Sequence, residues 1–286
     1  MKGLGLEEDA FKLAIEKYGI WPMTVWTCNF SDPMLKKLKR EVGDGSWLGT
    51  STRSNSFHKH DLNKKRTHMY NEVVESVFNP MVAIWILNLF GPENGLVYDP
   101  FAGGGTRAIV TVKKGLDYVG MEIRQDEVEA VNERLKNNKV DAEIICGDSK
   151  DAFQIKNQSA DFLMTCPPYY NMEKYNGGNN DLSMCESYDD FLRGIEQVII
   201  ESFRILKSGS LSCWVVGVHR DKNGQLLSIP SDISNIHKKN GFIHKEEVVL
   251  YWDKNTTGAI QRVGNFEKKN KFLIRCHEYL EVFIKK

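Results

Sequence analysis

Between residues 95 and 165, short apolar runs alternate with amphipathic stretches, and this alternation leaves few architectures open. Gly95–Asp99 reads as a buried strand leading into a glycine-rich turn, and Thr106–Lys114 as a helix. Asp117–Glu122 reads as a second strand, Gln125–Asn138 as a charged amphipathic helix and Ala142–Cys146 as a third strand. Ala160–Thr165 is a fourth strand, ending at a Pro-Pro pair. Parallel strands need a crossover long enough to return to the starting edge, so this alternation predicts an α/β fold with helices on both faces of the sheet.

The rest of the chain extends that pattern. Residues 170–188 are polar and rich in Gly and Asn, as expected of a binding loop or lid. Phe191, Leu192, Ile195, Val198, Ile199, Phe203 and Leu206 recur at helical spacing, with Gly209 as the expected C-cap. Leu211–Val216 reads as a fifth strand, Pro230–Asn240 as a helix ended by Gly241, and Glu246–Trp252 and Glu278–Ile284 as two last strands. Residues 1–90 do not fit the alternation, and 1–68 are expected to form an N-terminal extension or lobe, with 69–286 as the main domain. Within the latter, Tyr70–Phe90 is apolar enough to dock on the core as a helix.

Charge excludes a global electrostatic grip on a polyanion, since 38 Lys and Arg balance 38 Asp and Glu. Two local segments are basic: 53–68, with Arg53, Lys59, Lys64, Lys65 and Arg66, and 253–275, with Lys254, Arg262, Lys268, Lys269, Lys271 and Arg275. A charge run is usually a solvated face, but beside a nucleic-acid site it would hold phosphates. No apolar run approaches the roughly 20 residues of a membrane span. Met1–Asp9 carries three acids and no apolar stretch, so no signal peptide is expected. The six cysteines have no CxxC spacing, which predicts reduced thiols, a cytoplasmic protein and no metal site.

The turn Asp99-Pro100-Phe101-Ala102-Gly103-Gly104-Gly105-Thr106 follows the first strand. Its glycines let a ligand approach the backbone and a helix N-terminus. Residues 103–108 also fit the dinucleotide pattern GxGxxG/A, so glycines alone do not choose a ligand. Asp99 does discriminate, because a carboxylate there would repel a pyrophosphate and suit the ammonium of a methionine moiety. Glu122 ends the second strand, where an acid accepts from ribose hydroxyls of either kind of ligand. Asp148 follows the third strand and could accept from an adenine amine. A lone loop acid would mean little; three acids ending three successive strands point to a site.

Thr165-Cys166-Pro167-Pro168-Tyr169 closes the fourth strand, next to the expected switch point. The prolines fix φ and remove two N–H donors, leaving carbonyls to face a cleft. Two acceptors there could draw the exocyclic nitrogen of cytosine or adenine toward tetrahedral geometry and aim its lone pair at an electrophile. Tyr169 could stack on a base flipped from its helix. A rigid turn without chemistry is the plainer reading of a Pro-Pro pair, and the acids upstream weigh against it.

On these motifs the chain resembles the S-adenosylmethionine-dependent amino-methyltransferases of DNA, which make N4-methylcytosine or N6-methyladenine. DPFAGGGT is similar to their cofactor motif and TCPPY to their (D/N/S)-PP-(Y/F) motif. The CPPYYN start, the Tyr188–Phe203 helix, the stretch WVVGVHRDKNG from Trp214 and the closing RCHEYLEVFIKK resemble DNA methylases of phages and prophages. The similarity spans roughly residues 66–286, more weakly from about Trp21.

The resemblance implies a Rossmann-like class I fold with a seven-stranded mixed sheet, the last strand antiparallel, and a catalytic domain at 69–286. It implies S-adenosylmethionine held by Asp99, Phe101, Ala102, Gly103, Gly105, Thr106, Glu122, Ile123, Asp148 and Ser149, and an amine handled by Cys166, Pro167, Pro168 and Tyr169. DNA would meet the two basic segments and the 170–188 loop, within a restriction-modification or phage setting in a bacterial or phage-infected cytoplasm. Cys166 departs from the family, which has Asp, Asn or Ser there. Its likeness in shape to Ser leans the expectation slightly to cytosine N4. Rival readings are attack by the Cys166 thiol on cytosine C6, amine methylation of RNA or glutamine, a subunit that binds without turnover, and an NAD-linked reductase.

Overall fold

The computed structural model describes residues 13, 15–20, 22–28, 78–170, 175, 177–221, 223–252 and 275–286. The basic segment 53–68, all of 253–275 except Arg275, residues 70–77 and part of the 170–188 loop lie outside the described residues.

In chain order the strands are β1 (Val25–Cys28), β2 (Leu96–Asp99), β3 (Asp117–Glu122), β4 (Glu143–Cys146), β5 (Ala160–Thr165), β6 (Leu206–Val216), the short β7 (His219–Arg220) and β8 (Leu226–Leu227), β9 (Phe242–Trp252) and β10 (His277–Lys285). The helices are α1 (Pro80–Phe90), α2 (Thr106–Lys113), α3 (Gln125–Asn137), α4 (Tyr188–Ile205) and α5 (Ile229–Lys239). The main sheet runs β1-β9-β10-β6-β5-β2-β3-β4, and β7 pairs with β8 as a separate hairpin. Strands β2 to β6 are parallel, and β10 is antiparallel to both β6 and β9. This is the Rossmann-like methyltransferase order with its last strand reversed, as expected.

The sheet has eight strands rather than seven. The eighth is β1, which pairs parallel with β9 from Val25↔Val249 to Cys28↔Trp252. An open β9 edge would leave a row of unsatisfied backbone groups, and β1 covers it. Its side chains alternate, with Trp26 and Cys28 buried and Val25 exposed. Trp26 meets the Trp85 ring edge-on at 5.9 Å and stacks on Phe90 at 6.4 Å, anchoring the strand to α1.

Strand alternation builds two cores. Val97, Phe162 and Cys213 face α1, α2 and α3, while Tyr98, Leu163 and Trp214 face α4 and α5. Good caps set the helix starts: the Asn79 side chain accepts from Met81 N ahead of Pro80, and Ser187 accepts from Asp190 N. Gly209 is not the cap of α4. That helix ends at Ile205, and buried Leu206 already pairs with Ala160. Between Leu206 and Leu211 strand β6 bulges, and Gly209 takes φ +82° inside that bulge.

The chain leaves β2 toward β3 and β4 on one side and β5 and β6 on the other. Neighbours β2 and β5 therefore frame a topological switch point, where ligands of such sheets bind beyond the strand ends.

Candidate active site

A cleft of about 400 Å³ opens at that switch point. Its walls carry Phe101, Ala102, Gly103, Thr106, Glu122, Ile123, Asp148 and Ser149 from the first three strand ends, and Cys166, Pro167, Pro168 and Tyr169 from the fourth. Asp99 and Gly105 do not line it.

Asp99 lies beneath the cleft, fully buried, with its oxygens engaged. Oδ1 accepts from Phe101 N at 3.1 Å and Thr165 Oγ1 at 2.6 Å; Oδ2 accepts from Arg107 Nε at 2.6 Å and Tyr118 Oη at 2.8 Å. Arg107, itself buried, also donates to the Phe101 carbonyl and lies 4.7 Å above the Phe78 ring. One carboxylate thus ties β2, β3, β5 and α2 together. The cation beside Asp99 is the protein's own, where sequence reasoning expected a ligand ammonium. Arg107, Tyr118 and Thr165 were missed; an arginine inside the apolar start of α2 was the available signal.

The glycine turn is shaped by contacts as well as by ligand. Gly105 has φ +77°, and a Cβ there would sit 2.7 Å from Val131 Cγ1 of α3, so α2 can start close against α3 only without a side chain. Gly103 has φ +50° and its N–H reaches the Glu122 carboxyl. Glu122 also accepts from Arg124 N at 3.0 Å, and burial pushes its carboxyl above the ordinary range against the pull of these donors. Asp148 accepts from Lys150 N at 3.0 Å, with Lys150 Nζ 3.4 Å away.

The Pro-Pro-Tyr turn is fixed by the other half of the sheet. Tyr169 is 9% exposed, and its hydroxyl donates to Glu278 Oε1 at 2.6 Å. The Trp252 side chain also bonds Glu278, and both residues line the cleft. His219 Nε2 lies 2.7 Å from the Tyr170 carbonyl, which joins the β7–β8 hairpin to the turn. Glu278, Trp252 and His219 were not singled out from sequence, because nothing local marks them as neighbours of residue 169.

A cofactor can be tested against this donor set. Five carboxylates and three guanidiniums line the cleft. Arg107 is paired with Asp99, Arg124 with Glu127 at 2.9 Å, and Arg134 donates to the Gly104 carbonyl. Among the acids, Glu122 faces Arg124 at 3.7 Å and Asp148 faces Lys150 at 3.4 Å, and the set as a whole suits a ligand with an ammonium, a ribose and an aminated base better than a pyrophosphate. Apolar Phe101, Met121, Ile123 and Leu182 complete the walls. Among the described residues no His, Cys, Asp and Glu cluster could hold a metal, and no helix is long and apolar enough to cross a membrane.

A family model described as DNA methylase (N6_N4_Mtase) matches residues 7–133. The match takes in β1 and the glycine turn and ends before the Pro-Pro-Tyr turn. The match agrees with the resemblance to DNA amino-methyltransferases, and the residues present fit the S-adenosylmethionine that this resemblance implies. No curated protein matches the chain. Among solved structures, a methyltransferase described as putative from Bacillus halodurans is 13% identical, with TM-score 0.50 over 72% of this chain and 98% of that one. The [4+2]-cyclase SpnF is 12% identical, with TM-score 0.50 over 72% and 81%. A methyltransferase from Methanosarcina mazei is 13% identical over 70% and 96%, with TM-score 0.48. The two likenesses at 0.50 show the fold alone, and a cyclase among them illustrates that the fold hosts more than one reaction.

Proposed function

We propose that this methyltransferase-fold chain methylates the exocyclic amine of a base in DNA, with cytosine N4 favoured slightly over adenine N6. The observation that carries the reading is a single cleft lined by both the glycine turn and the Pro-Pro-Tyr turn. The DNA methylase match over residues 7–133 supports DNA as the substrate class. Bound S-adenosylmethionine supplies an electrophilic methyl group; the chain supplies position. Phe101, Ala102, Gly103 and Thr106 cradle the methionine end, Glu122 and Ile123 the ribose, and Asp148 and Ser149 the adenine, whereas Asp99 acts from below by holding the turn through Phe101 N and Arg107. Gly105 contributes by letting α2 begin close to α3.

At the target side, the carbonyl of Cys166 accepts from the amine hydrogens more than its sulfur does, since a thiol is a weak acceptor. Pro167 and Pro168 offer no competing N–H. Tyr169 stacks on the flipped base. DNA phosphates are held by the basic segments 53–68 and 253–275 and by the 170–188 loop. Arg275, which donates to the Val218 carbonyl at 2.8 Å, stands near Arg220 of the hairpin; burial and that second charge lower its proton affinity. None of the six cysteines is in a disulfide, in keeping with a reducing cytoplasm.

The test is to express the chain, digest host DNA and identify modified nucleosides by mass spectrometry. N4-methylcytosine is expected. N6-methyladenine would keep the amine chemistry and correct the base. C5-methylcytosine, methylation confined to RNA, or no product would overturn the reading.

A further inference from the structure

Glu278 lies 109 residues beyond Tyr169 in sequence, yet its carboxyl takes the Tyr169 hydroxyl at 2.6 Å. That length is in the range of charge-assisted O–H···O⁻ bonds. The approach depends on Gly217. Pairing of Tyr279 with Val216 brings Glu278 to the end of β6, where a Cβ on Gly217 would lie 3.1 Å from Tyr169 Oη and 3.6 Å from Glu278 Cγ. The bare backbone leaves room for the phenol to reach across. The same carboxyl bonds Trp252, so one acid holds two aromatic side chains of the cleft wall.

A carboxyl is a costly way to pin two rings. Burial pushes Glu278 above the ordinary carboxyl range, and the phenol and indole only partly offset this. Apolar packing would fill the same space without desolvating a charge. The Pro-Pro-Tyr turn, meanwhile, has a thiol at Cys166, so it brings no carboxylate of its own.

We propose that Glu278 is a positioning residue for methyl transfer, holding the Tyr169 ring in place and, through the phenol, raising the electron density of that ring toward the target amine. This rests on the reading that a base amine is methylated over Tyr169. As the amine lone pair bonds the methyl carbon, the sulfur–methyl bond of the donor breaks with its electron pair left on a neutral thioether; the nitrogen becomes positive and sheds that charge when a proton leaves to water. An electron-rich ring face stabilises a nearby cation. The phenol bonds the acid directly, so the effect of Glu278 passes through the Tyr169 hydroxyl.

The experiment compares wild type, Glu278→Gln, Tyr169→Phe and the double variant on unmodified genomic DNA. It measures kcat and KM over pH, and S-adenosylmethionine affinity by calorimetry. Glu278→Gln keeps the cofactor affinity and the KM for DNA and lowers kcat roughly threefold to tenfold, part of what one whole cation–π contact is worth. The acid limb of the kcat profile that belongs to Glu278 disappears in that variant. Tyr169→Phe shows the same loss even if Glu278→Gln fails to fold, and the double variant loses no more than either single one. Unchanged kcat, additive losses, or loss of cofactor binding in Glu278→Gln would each overturn the proposal. If wild type transfers no methyl group to DNA, the functional reading fails and takes the proposal with it; an active wild type with an equally active Glu278→Gln sinks the proposal alone.

Discussion

Asp99 on β2 and Glu281 on β10 are buried to nearly the same depth, 0% and 1% exposed, and the protein treats them in opposite ways. Asp99 has a buried guanidinium and three further donors. Glu281 stands across from Glu247, and burial together with that second carboxylate pushes it up to about 8. His244 Nε2 is 2.7 Å from Glu281, but burial and Lys238 hold that imidazole toward its neutral form. Depth alone therefore says little about a carboxyl's role. The partner decides whether it is a fixed charge that organises a turn or a group that stays protonated. Glu278 lies between these cases, with neutral donors and a place in the cleft wall.

The largest effect should come from breaking the first case. Arg107→Leu removes the cation that faces buried Asp99, and should cost about 3–5 kcal/mol in denaturant unfolding. A loss below ~1 kcal/mol would mean that Tyr118 and Thr165 suffice. The second case is tested by pH. A carboxyl whose folded pKa is raised to about 8 contributes stability below its unfolded pKa and loses it as pH rises toward 8. Wild-type stability should fall across that window by at most about 1.4 kcal/mol per pH unit, and Glu281→Gln should flatten the slope. Identical slopes in the two proteins would place Glu281 among ordinary acids.

At the β7–β8 hairpin, the paired alanine variant of Arg220 and Arg275 should bind duplex DNA with a salt slope smaller by about 1–2, since each phosphate contact contributes roughly 0.9. An unchanged slope would assign both arginines to the hairpin. The mildest change is Cys166→Ser, which should keep kcat within about tenfold, or ~1.4 kcal/mol, and Cys166→Ala should stay measurable. Complete loss with Ser would point to the thiol as a nucleophile.

Much of the fold was legible because its signals are local. Strands Asp117–Glu122 and Ala160–Thr165 have the bounds that their apolar runs suggest, and the helices from 106, 125 and 229 start within a residue of expectation. The cleft too was partly legible, since strand-end motifs must converge once the sheet is parallel. What was not legible involved partners far apart in sequence. Strand β1 reads as four unremarkable residues until β9 offers an edge, and the end of α4 is set by Leu206 finding Ala160 rather than by Gly209.

By itself the sequence determined the parallel sheet, the glycine turn and the Pro-Pro-Tyr turn, because period, proline and glycine act on neighbouring residues. Only the tertiary structure decided what surrounds them. Asp99 meets Thr165 across 66 residues and Tyr169 meets Glu278 across 109. A carboxylate's function depends on who stands within 3 Å of it, and that is settled by strand order and register rather than by the chain nearby.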